Sequence, residues 1–367
     1  MKSKLILAGF LVGVLCQAQA QARSDSVAIY GLIDSGVEHV TNVGPTRDGL
    51  TRVPTITGSL PSRIGFRGTE DLGGGLKAVF TLENGFGPDN GTAGQGGRLF
   101  GRQAFVGLSG SWGTVSLGRQ YTMLFWSLLD SDVLGPNVYG SGSIDSYIPN
   151  ARADNALGYR GSFNGVTVGV TYSLGRDTVN AGPSPAGTNC AGESPADTKA
   201  CREWSAMVKY DAASWGVAAG VDRFNGGPGA FAGLTNSSLS DTRKTVNGYV
   251  KFGQAKLAAG VLQRDNEASV APKSNLYFIG GVYPLTSAIT LDGEVFKLDT
   301  KNSANDATMF ALRGTYHFSK RTAAYVTAGH IANDGALNLS VSSGAPGSNP
   351  SAGDTQTGLM VGVRHMF

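Results

Sequence analysis

Apolar and polar residues alternate along most of the chain, in runs of about ten residues. Over 166–174, Val166, Val168, Val170, Tyr172 and Leu174 share one parity, and Thr167, Gly169, Thr171 and Ser173 the other. Leu359, Val361, Val363, His365 and Phe367 alternate in the same way with Met360, Gly362, Arg364 and Met366. Leu76, Ala78, Phe80 and Leu82 alternate with Lys77, Val79, Thr81 and Glu83. A period of two puts successive side chains on opposite faces of a β-strand. Divided by these runs and by turn residues, the chain reads as sixteen strands: 25–41, 59–70, 74–87, 98–110, 113–121, 154–163, 165–175, 202–212, 214–224, 243–253, 255–265, 274–284, 287–298, 307–318, 320–332 and 356–367.

The connections alternate between short (71–73, 111–112, 164, 213, 254, 285–286, 319) and long ones, which include 42–58, 122–153, 176–201 and 333–355. An up-and-down antiparallel sheet places successive connections at opposite ends, so all the short turns fall at one end and all the long loops at the other. A β-sandwich would mix the lengths and need Greek-key crossovers. An even number of strands lets the last pair with the first and leaves no open edge. The fold class expected is all-β: a 16-stranded antiparallel up-and-down transmembrane β-barrel with short periplasmic turns and long extracellular loops. Sixteen strands enclose a water-filled channel rather than a packed interior.

The N-terminus adds an export step. Lys2 and Lys4 precede an apolar run at 5–15, too short to span a bilayer as a helix, and Ala18-Gln19-Ala20 fits a small-x-small cleavage site. Residues 1–20 read as a signal peptide and 21–367 as the barrel domain, with Ala20-Gln21-Ala22 as a second possible cut. Leu15 before Cys16 is the wrong neighbour for a lipidated cysteine. No later stretch has eighteen consecutive apolar residues, which excludes helical spans.

Composition fits this picture. Charged residues are 16% and glycine is 54 of 367, against usual shares of about 25% and about 7%. Net charge is +3 with the leader and close to neutral without it, and no basic run occurs. No nucleic-acid partner is expected. Cys190 and Cys201 remain after cleavage; an oxidising compartment would let them pair as a disulfide, and two free loop thiols are the other reading.

Several stretches carry a resemblance: Ser26-Val27-Ala28-Ile29-Tyr30-Gly31-Leu32-Ile33-Asp34 at the mature start; Ser62-Arg63-Ile64-Gly65-Phe66-Arg67-Gly68-Thr69-Glu70-Asp71-Leu72-Gly73-Gly74-Gly75-Leu76-Lys77-Ala78; Gly101-Arg102-Gln103-Ala104-Phe105-Val106-Gly107-Leu108; Gly113-Thr114-Val115-Ser116-Leu117-Gly118-Arg119-Gln120-Tyr121; and the closing Val361-Gly362-Val363-Arg364-His365-Met366-Phe367. The sequence resembles the trimeric general porins of Gram-negative bacteria, of the β-proteobacterial kind, from end to end of the mature chain. The resemblance implies a homotrimer in the outer membrane, in contact with lipid and lipopolysaccharide. It also implies a terminal Phe367 read by the outer-membrane assembly machinery, and passive diffusion of ions and small hydrophilic solutes with no cofactor.

In that family the third long loop, here 122–153, folds into the barrel and narrows it. Its acids face arginines on the wall, and the opposed charges bias ion choice. The matching wall positions are Arg63, Arg67, Arg102 and Arg119, with Arg152 where the loop returns to the wall. Arg63 and Arg67 alternate with Ile64 and Phe66 and so face water. Alternation sets Arg102 with Ala104 and Val106, and Arg119 with Val115 and Leu117, on the lipid side unless a bulge intervenes or they lie above the hydrocarbon band. The candidate loop acids are Asp130, Asp132 and Asp145. The family's Pro-Glu-Phe-Gly run is absent, and Leu134-Gly135-Pro136-Asn137 stands in that region. The arginine count points to an anion preference. Lys77, Glu83, Asp292, Glu294 and Arg313 are expected in the lumen. Tyr30, Trp112, Tyr210, Trp215, Tyr283 and Tyr316 are candidates for the interface girdles.

Three other functional classes compete with this one. An enzyme on a barrel scaffold needs a nucleophile and a histidine base, but the four histidines are scattered, Gly107-Leu108-Ser109-Gly110-Ser111 misses the nucleophile-elbow pattern, and no spacing suggests a metal site. A substrate-specific channel and an adhesin or receptor barrel are the nearer alternatives.

Overall fold

The computed structural model describes residues 25–56, 58–177, 190–230, 233–269, 272–343 and 347–367. The signal peptide expected at 1–20 lies outside the described residues. Eighteen strands occur among the described residues: β1 (Ser26–Val43), β2 (Asp48–Arg52), β3 (Arg63–Gly73), β4 (Leu76–Gly85), β5 (Gln103–Gly110), β6 (Gly113–Tyr121), β7 (Arg152–Ala153), β8 (Ala156–Phe163), β9 (Val166–Ser173), β10 (Glu203–Asp211), β11 (Trp215–Asn225), β12 (Ser240–Phe252), β13 (Ala255–Asn266), β14 (Lys273–Pro284), β15 (Ile289–Thr300), β16 (Ala307–His317), β17 (Thr322–Asn333) and β18 (Thr355–Met366). Sixteen of them form the wall, each pairing antiparallel with its neighbours in chain order. The short β2 and β7, which alternation did not predict, lie in the long connections and pair with the outer ends of β1 and β6.

The ring closes on β1. Its lower part pairs with β3 from Ser26↔Thr69 to Leu32↔Arg63, and its upper part with β18 from Leu32↔Met366 to Val40↔Gly358. Phe367 completes the seam: its N–H donates to the Gly31 carbonyl and its carbonyl accepts from the Gly31 N–H, both at 3.1 Å. Closure leaves no strand edge, which is what a sheet needs where no water can satisfy its backbone. No helix among the described residues is long and apolar enough to cross a membrane.

Parity decides the two faces. Val27, Ile29, Ile33 and Val37 of β1 point outward, as do Leu359, Val361 and Val363 of β18, all exposed on the isolated chain. Asp34 and Glu38 take the inward positions of β1 and are fully buried. Trp112, Tyr210, Trp215, Tyr283 and Tyr316 are exposed near the short-turn end. Tyr30 corrects the girdle expectation: it shares parity with Leu32 and Asp34, and its hydroxyl donates to Glu83 Oε2 at 2.9 Å inside the barrel.

Candidate functional site: the pore constriction

The loop between β6 and β8 folds into the lumen because it is largely apolar. It opens with a short helix, Met123–Leu128, and contains a helical turn at Ser141–Ile144 and a 3-10 turn at Ile148–Asn150. Leu124, Phe125, Leu128, Leu134, Val138, Ile144 and Ile148 pack into one cluster with inward-facing wall residues, among them Phe224, Leu276, Phe278, Phe296, Met309 and Met360. Burial of that much apolar surface drives the insertion.

Polar contacts fix the loop in register along the wall. The Met123 N–H donates to Ser205 Oγ at 2.8 Å, and the Leu134 N–H to Glu294 Oε2 at 2.8 Å. The Tyr139 N–H donates to the Val341 carbonyl at 2.7 Å, and its hydroxyl to Glu38 Oε2 at 3.2 Å. The Tyr147 hydroxyl donates to Asp222 Oδ2 at 2.7 Å. The Tyr139 ring needs two glycines beneath it. A Cβ at Gly358 would lie 2.6 Å from its hydroxyl, and one at Gly329 would lie 2.8 Å from its ring. These glycines are partners across β17 and β18.

The loop thus covers the lumen face from β10 round to β18 and leaves the β3–β8 side open. Two chambers lie there. The lower, about 430 Å³, is lined by Arg67, Thr81, Gln103, Tyr121 and Arg160, among others. The upper, about 410 Å³, is lined by Ser62, Arg102, Pro136, Asn150 and Arg152, among others. The group between them is built around Tyr121, whose hydroxyl accepts from Arg102 Nη2 at 2.6 Å and from Arg152 Nη2 at 2.9 Å. Arg102 Nε also pairs with Glu83 Oε1 at 2.6 Å, and Arg63 Nε lies 3.7 Å from Glu83 Oε2. Arg152 stacks over the Tyr121 ring at 4.5 Å, and its Nε and Nη1 are buried without a partner.

Of the five arginines singled out in the sequence, the structure brings Arg63, Arg102 and Arg152 together. Arg67 lies lower on the same wall, over the Tyr30 ring at 5.1 Å. Arg102 reaches the lumen because it precedes β5. Its N–H bonds the Glu83 carbonyl while Gln103 takes the paired position opposite Glu83, so alternation does not govern it. Arg119 occupies an outward register position opposite Ala104, but Gly118 before it has φ +123° and breaks the alternation. A left-handed φ of that kind is open to glycine and strained for other residues. Arg119 turns inward to the Gly101 carbonyl at 2.7 Å and to Asp154 at 2.7 Å, away from the Tyr121 group.

None of the three loop acids is brought to these arginines. Asp130 pairs with Lys209. Asp132 accepts from Ser141 Oγ at 2.6 Å and from the Gly135 N–H at 3.0 Å. Asp145 pairs with Arg243 at 2.9 Å. Burial alone would raise the Asp145 carboxyl, but Arg243 and Arg264 outweigh it and hold it below its usual range. Burial pushes Asp132 up to about 6, against the hydrogen bonds from Ser141 and the Gly135 N–H, the one it shares with Glu294, and the more distant Arg313. Its folded form therefore holds a proton that the unfolded chain releases at lower pH. The stabilisation is complete below the unfolded value and is lost as pH rises through about 6. The thermal midpoint of the detergent-solubilised barrel is expected to fall over that interval, and Asp132→Asn to remove that component; an unchanged slope in the variant would assign it to other groups.

Sequence reasoning missed Glu83 and Tyr121 as parts of this group, and it missed the charged cluster that holds the returning end of the loop. There Arg176 pairs with Asp177 and with Glu203 at 3.2 Å, and donates to the Asn150 carbonyl at 3.2 Å. Glu203, Asp222 and Arg243 stand at inward parity on their strands, which marks them as lumen residues but not as partners of the loop. Cys190 and Cys201 form a disulfide beside this cluster, and their carbonyls accept from the Asp177 and Arg176 N–H groups, each at 3.0 Å. Among the described residues no group of three or more His, Cys, Asp or Glu could hold a metal ion.

Comparison with known proteins places this geometry. A family profile described as Gram-negative porin matches residues 8–336. Outer membrane porin protein 32 of Delftia acidovorans is 30% identical over the whole of both chains, and an outer membrane porin protein of Bordetella pertussis is likewise 30% identical over the whole of both. Among solved structures, an anion-selective porin from Comamonas acidovorans superposes with a TM-score of 0.74 at 27% identity, covering 94% of this chain and 100% of that one. A Vibrio cholerae outer membrane protein solved in a trimer form shares the fold at TM-score 0.63 and 14% identity, over 94% and 99% of the two chains. The chain belongs to the Gram-negative porin family and is an outer-membrane β-barrel porin, a channel rather than an enzyme.

Proposed function

We propose that this porin passes ions and small hydrophilic solutes passively and prefers anions. One observation carries the reading: Arg63, Arg102 and Arg152 converge between the two chambers, and Glu83 is the one carboxylate bonded to them among the described residues. The loop acids are matched to other cations or hydrogen-bond donors and offset none of this charge. The remaining positive field favours anions in the gap. The similarity to the Comamonas acidovorans anion-selective porin supports the same sign. In planar bilayers under a KCl gradient, the reversal potential is expected to take the sign set by chloride; the sign set by potassium would overturn the reading.

The proposal includes assembly as a homotrimer, supported by the trimer form of the Vibrio cholerae protein of this fold. It also includes contact with lipopolysaccharide, and presentation of Phe367, the end of the closing strand, to the outer-membrane assembly machinery. A saturable channel for one class of anion is the second reading. It is favoured by the two buried, unpartnered N–H donors of Arg152, which an arriving anion would satisfy. Block of the current by phosphate would support it, and strictly ohmic scaling with salt would count against it.

A further inference from the structure

The lower chamber holds two cations that no described residue neutralises. Arg98, Arg102, Arg119, Arg243 and Arg313 each meet a carboxylate at 3.0 Å or less. Arg67 and Arg160 form no ion pair among the described residues. Each lies instead over an aromatic ring, Arg67 over Tyr30 at 5.1 Å and Arg160 over Trp126 at 4.0 Å. Both are exposed, and among the described residues no Asp or Glu lines the chamber. Register fixes where the two stand. Arg67 is opposite Thr81, and Thr81 opposite Phe105, in one row of lumen-facing positions. Arg160 is two strands further round and nearer the short turns, opposite Thr114, which is itself opposite Ser109.

The inserted loop supplies the aromatic part. In the short helix Met123–Leu128, Trp126 is the one residue left unburied. Its ring stands edge-on to Tyr121 at 5.9 Å and to Phe125 at 6.0 Å, with interplanar angles of 77° and 82°. Edge-to-face contacts of this kind hold an aromatic ring in place. An arginine stacked on an indole is held by its flat face. Its N–H donors then point outward in the guanidinium plane, where two at a time match a carboxylate. Arg160 makes no side-chain hydrogen bond among the described residues, so that edge is open. The chamber, at about 430 Å³, falls within the roughly 300–1,000 Å³ of small-molecule sites. An inorganic or short aliphatic anion would use the guanidinium and leave the half-exposed faces of Trp126 and Phe105 in water.

We propose that the lower chamber is a binding site for aromatic carboxylates. The carboxylate pairs with the open edge of the Arg160 guanidinium, the ring lies against Trp126 and Phe105, and Arg67 adds positive potential from the facing part of the chamber. The site deepens the diffusion reading above and rests on it in one respect, that small solutes enter the lumen. The sign of the ion preference, set between the chambers by other arginines, does not enter.

The test is block of single-channel KCl current through the full refolded porin by benzoate, cyclohexanecarboxylate, acetate and benzylammonium. Benzoate is expected to reach half block at a concentration at least threefold below cyclohexanecarboxylate, which has its charge and similar size without the aromatic face, and at least tenfold below acetate. Benzylammonium, a ring of opposite charge, is expected not to block at those concentrations. Arg160→Gln is expected to raise the benzoate half-block concentration at least fivefold, and Trp126→Leu to equalise benzoate and cyclohexanecarboxylate. Equal block by those two in wild type, or undiminished benzoate block in Arg160→Gln, overturns the site. Should Trp126→Leu unsettle the loop, Trp126→Phe keeps an aromatic face and is expected to retain the preference for benzoate; its loss there would count equally against the site. A barrel that carries no KCl current would sink the diffusion reading and the site with it. A potassium-signed reversal potential with selective benzoate block intact would overturn the ion preference and leave the site standing.

Discussion

Exchanging Arg63, Arg102 and Arg152 together for glutamine is expected to reverse the sign of the reversal potential. The three guanidinium groups are the cations of the partition, and among the described residues Glu83, bonded to two of them, stays behind as its only charge. The local charge changes from net positive to negative. In bulk water a unit charge at about 4 Å is worth about 1 kcal/mol, or roughly fivefold in relative ion occupancy, and more where protein displaces water. Three such changes exceed what distant charges can restore, because at about 0.1 M salt the field beyond about 10 Å is largely screened. The reversal should therefore be clearest in dilute salt and shrink toward 1 M. Glu83→Gln alone is expected to move the potential the other way, toward stronger anion preference. A triple variant that remained anion-selective would move the determinant down the wall to Arg67 and Arg160, the cations of the lower chamber.

Much of this arrangement is legible in the sequence and some of it is not, for identifiable reasons. Alternation finds the sixteen wall strands because a sheet between lipid and water must alternate, and β6 is found at 113–121 without error. It also puts Arg63 and Arg67 in the lumen. It fails where the backbone leaves the regular pleat: at the bend before β5, which frees Arg102, and at Gly118, which turns Arg119. It is also silent on what the inserted loop touches. Asp130, Asp132 and Asp145 are acids in the right loop, yet Lys209 and Arg243, the partners of Asp130 and Asp145, lie on strands that only the closed barrel brings near, and Asp132 turns to Ser141 within the loop itself. One usable signal was present. Leu276-Tyr277-Phe278-Ile279 is apolar on both parities, with Leu276 and Phe278 buried inward and Tyr277 and Ile279 exposed outward. A strand with no polar face is covered on both sides, so the run marks the wall against which the loop packs.

Arg176→Met is expected to loosen the returning end of that loop, and to do so through charge rather than volume. Arg176 is buried among Asp177, Glu203 and Asp222, with its guanidinium 4.7 Å from the Tyr147 ring and 5.2 Å from the Phe224 ring. Methionine fills much of the apolar stem but leaves the carboxylates without their central cation. Breaking a buried pair from one side costs about 3–5 kcal/mol. The strain falls on the contacts nearby: the Tyr147 hydroxyl on Asp222, the Asn150 carbonyl, and the Arg119–Asp177 approach at 3.7 Å. Because sixteen paired strands hold the barrel independently, the loss should appear as noisy, enlarged single-channel current and faster proteolysis within 122–153, with the heat-resistant barrel band retained. Adding Asp177→Asn and Glu203→Gln to Arg176→Met removes the stranded charge and is expected to restore quiet current. If the single variant is as quiet and as protease-resistant as wild type, the cluster does not hold the loop, and its position rests on the apolar packing of Leu124, Phe125 and Ile148 alone.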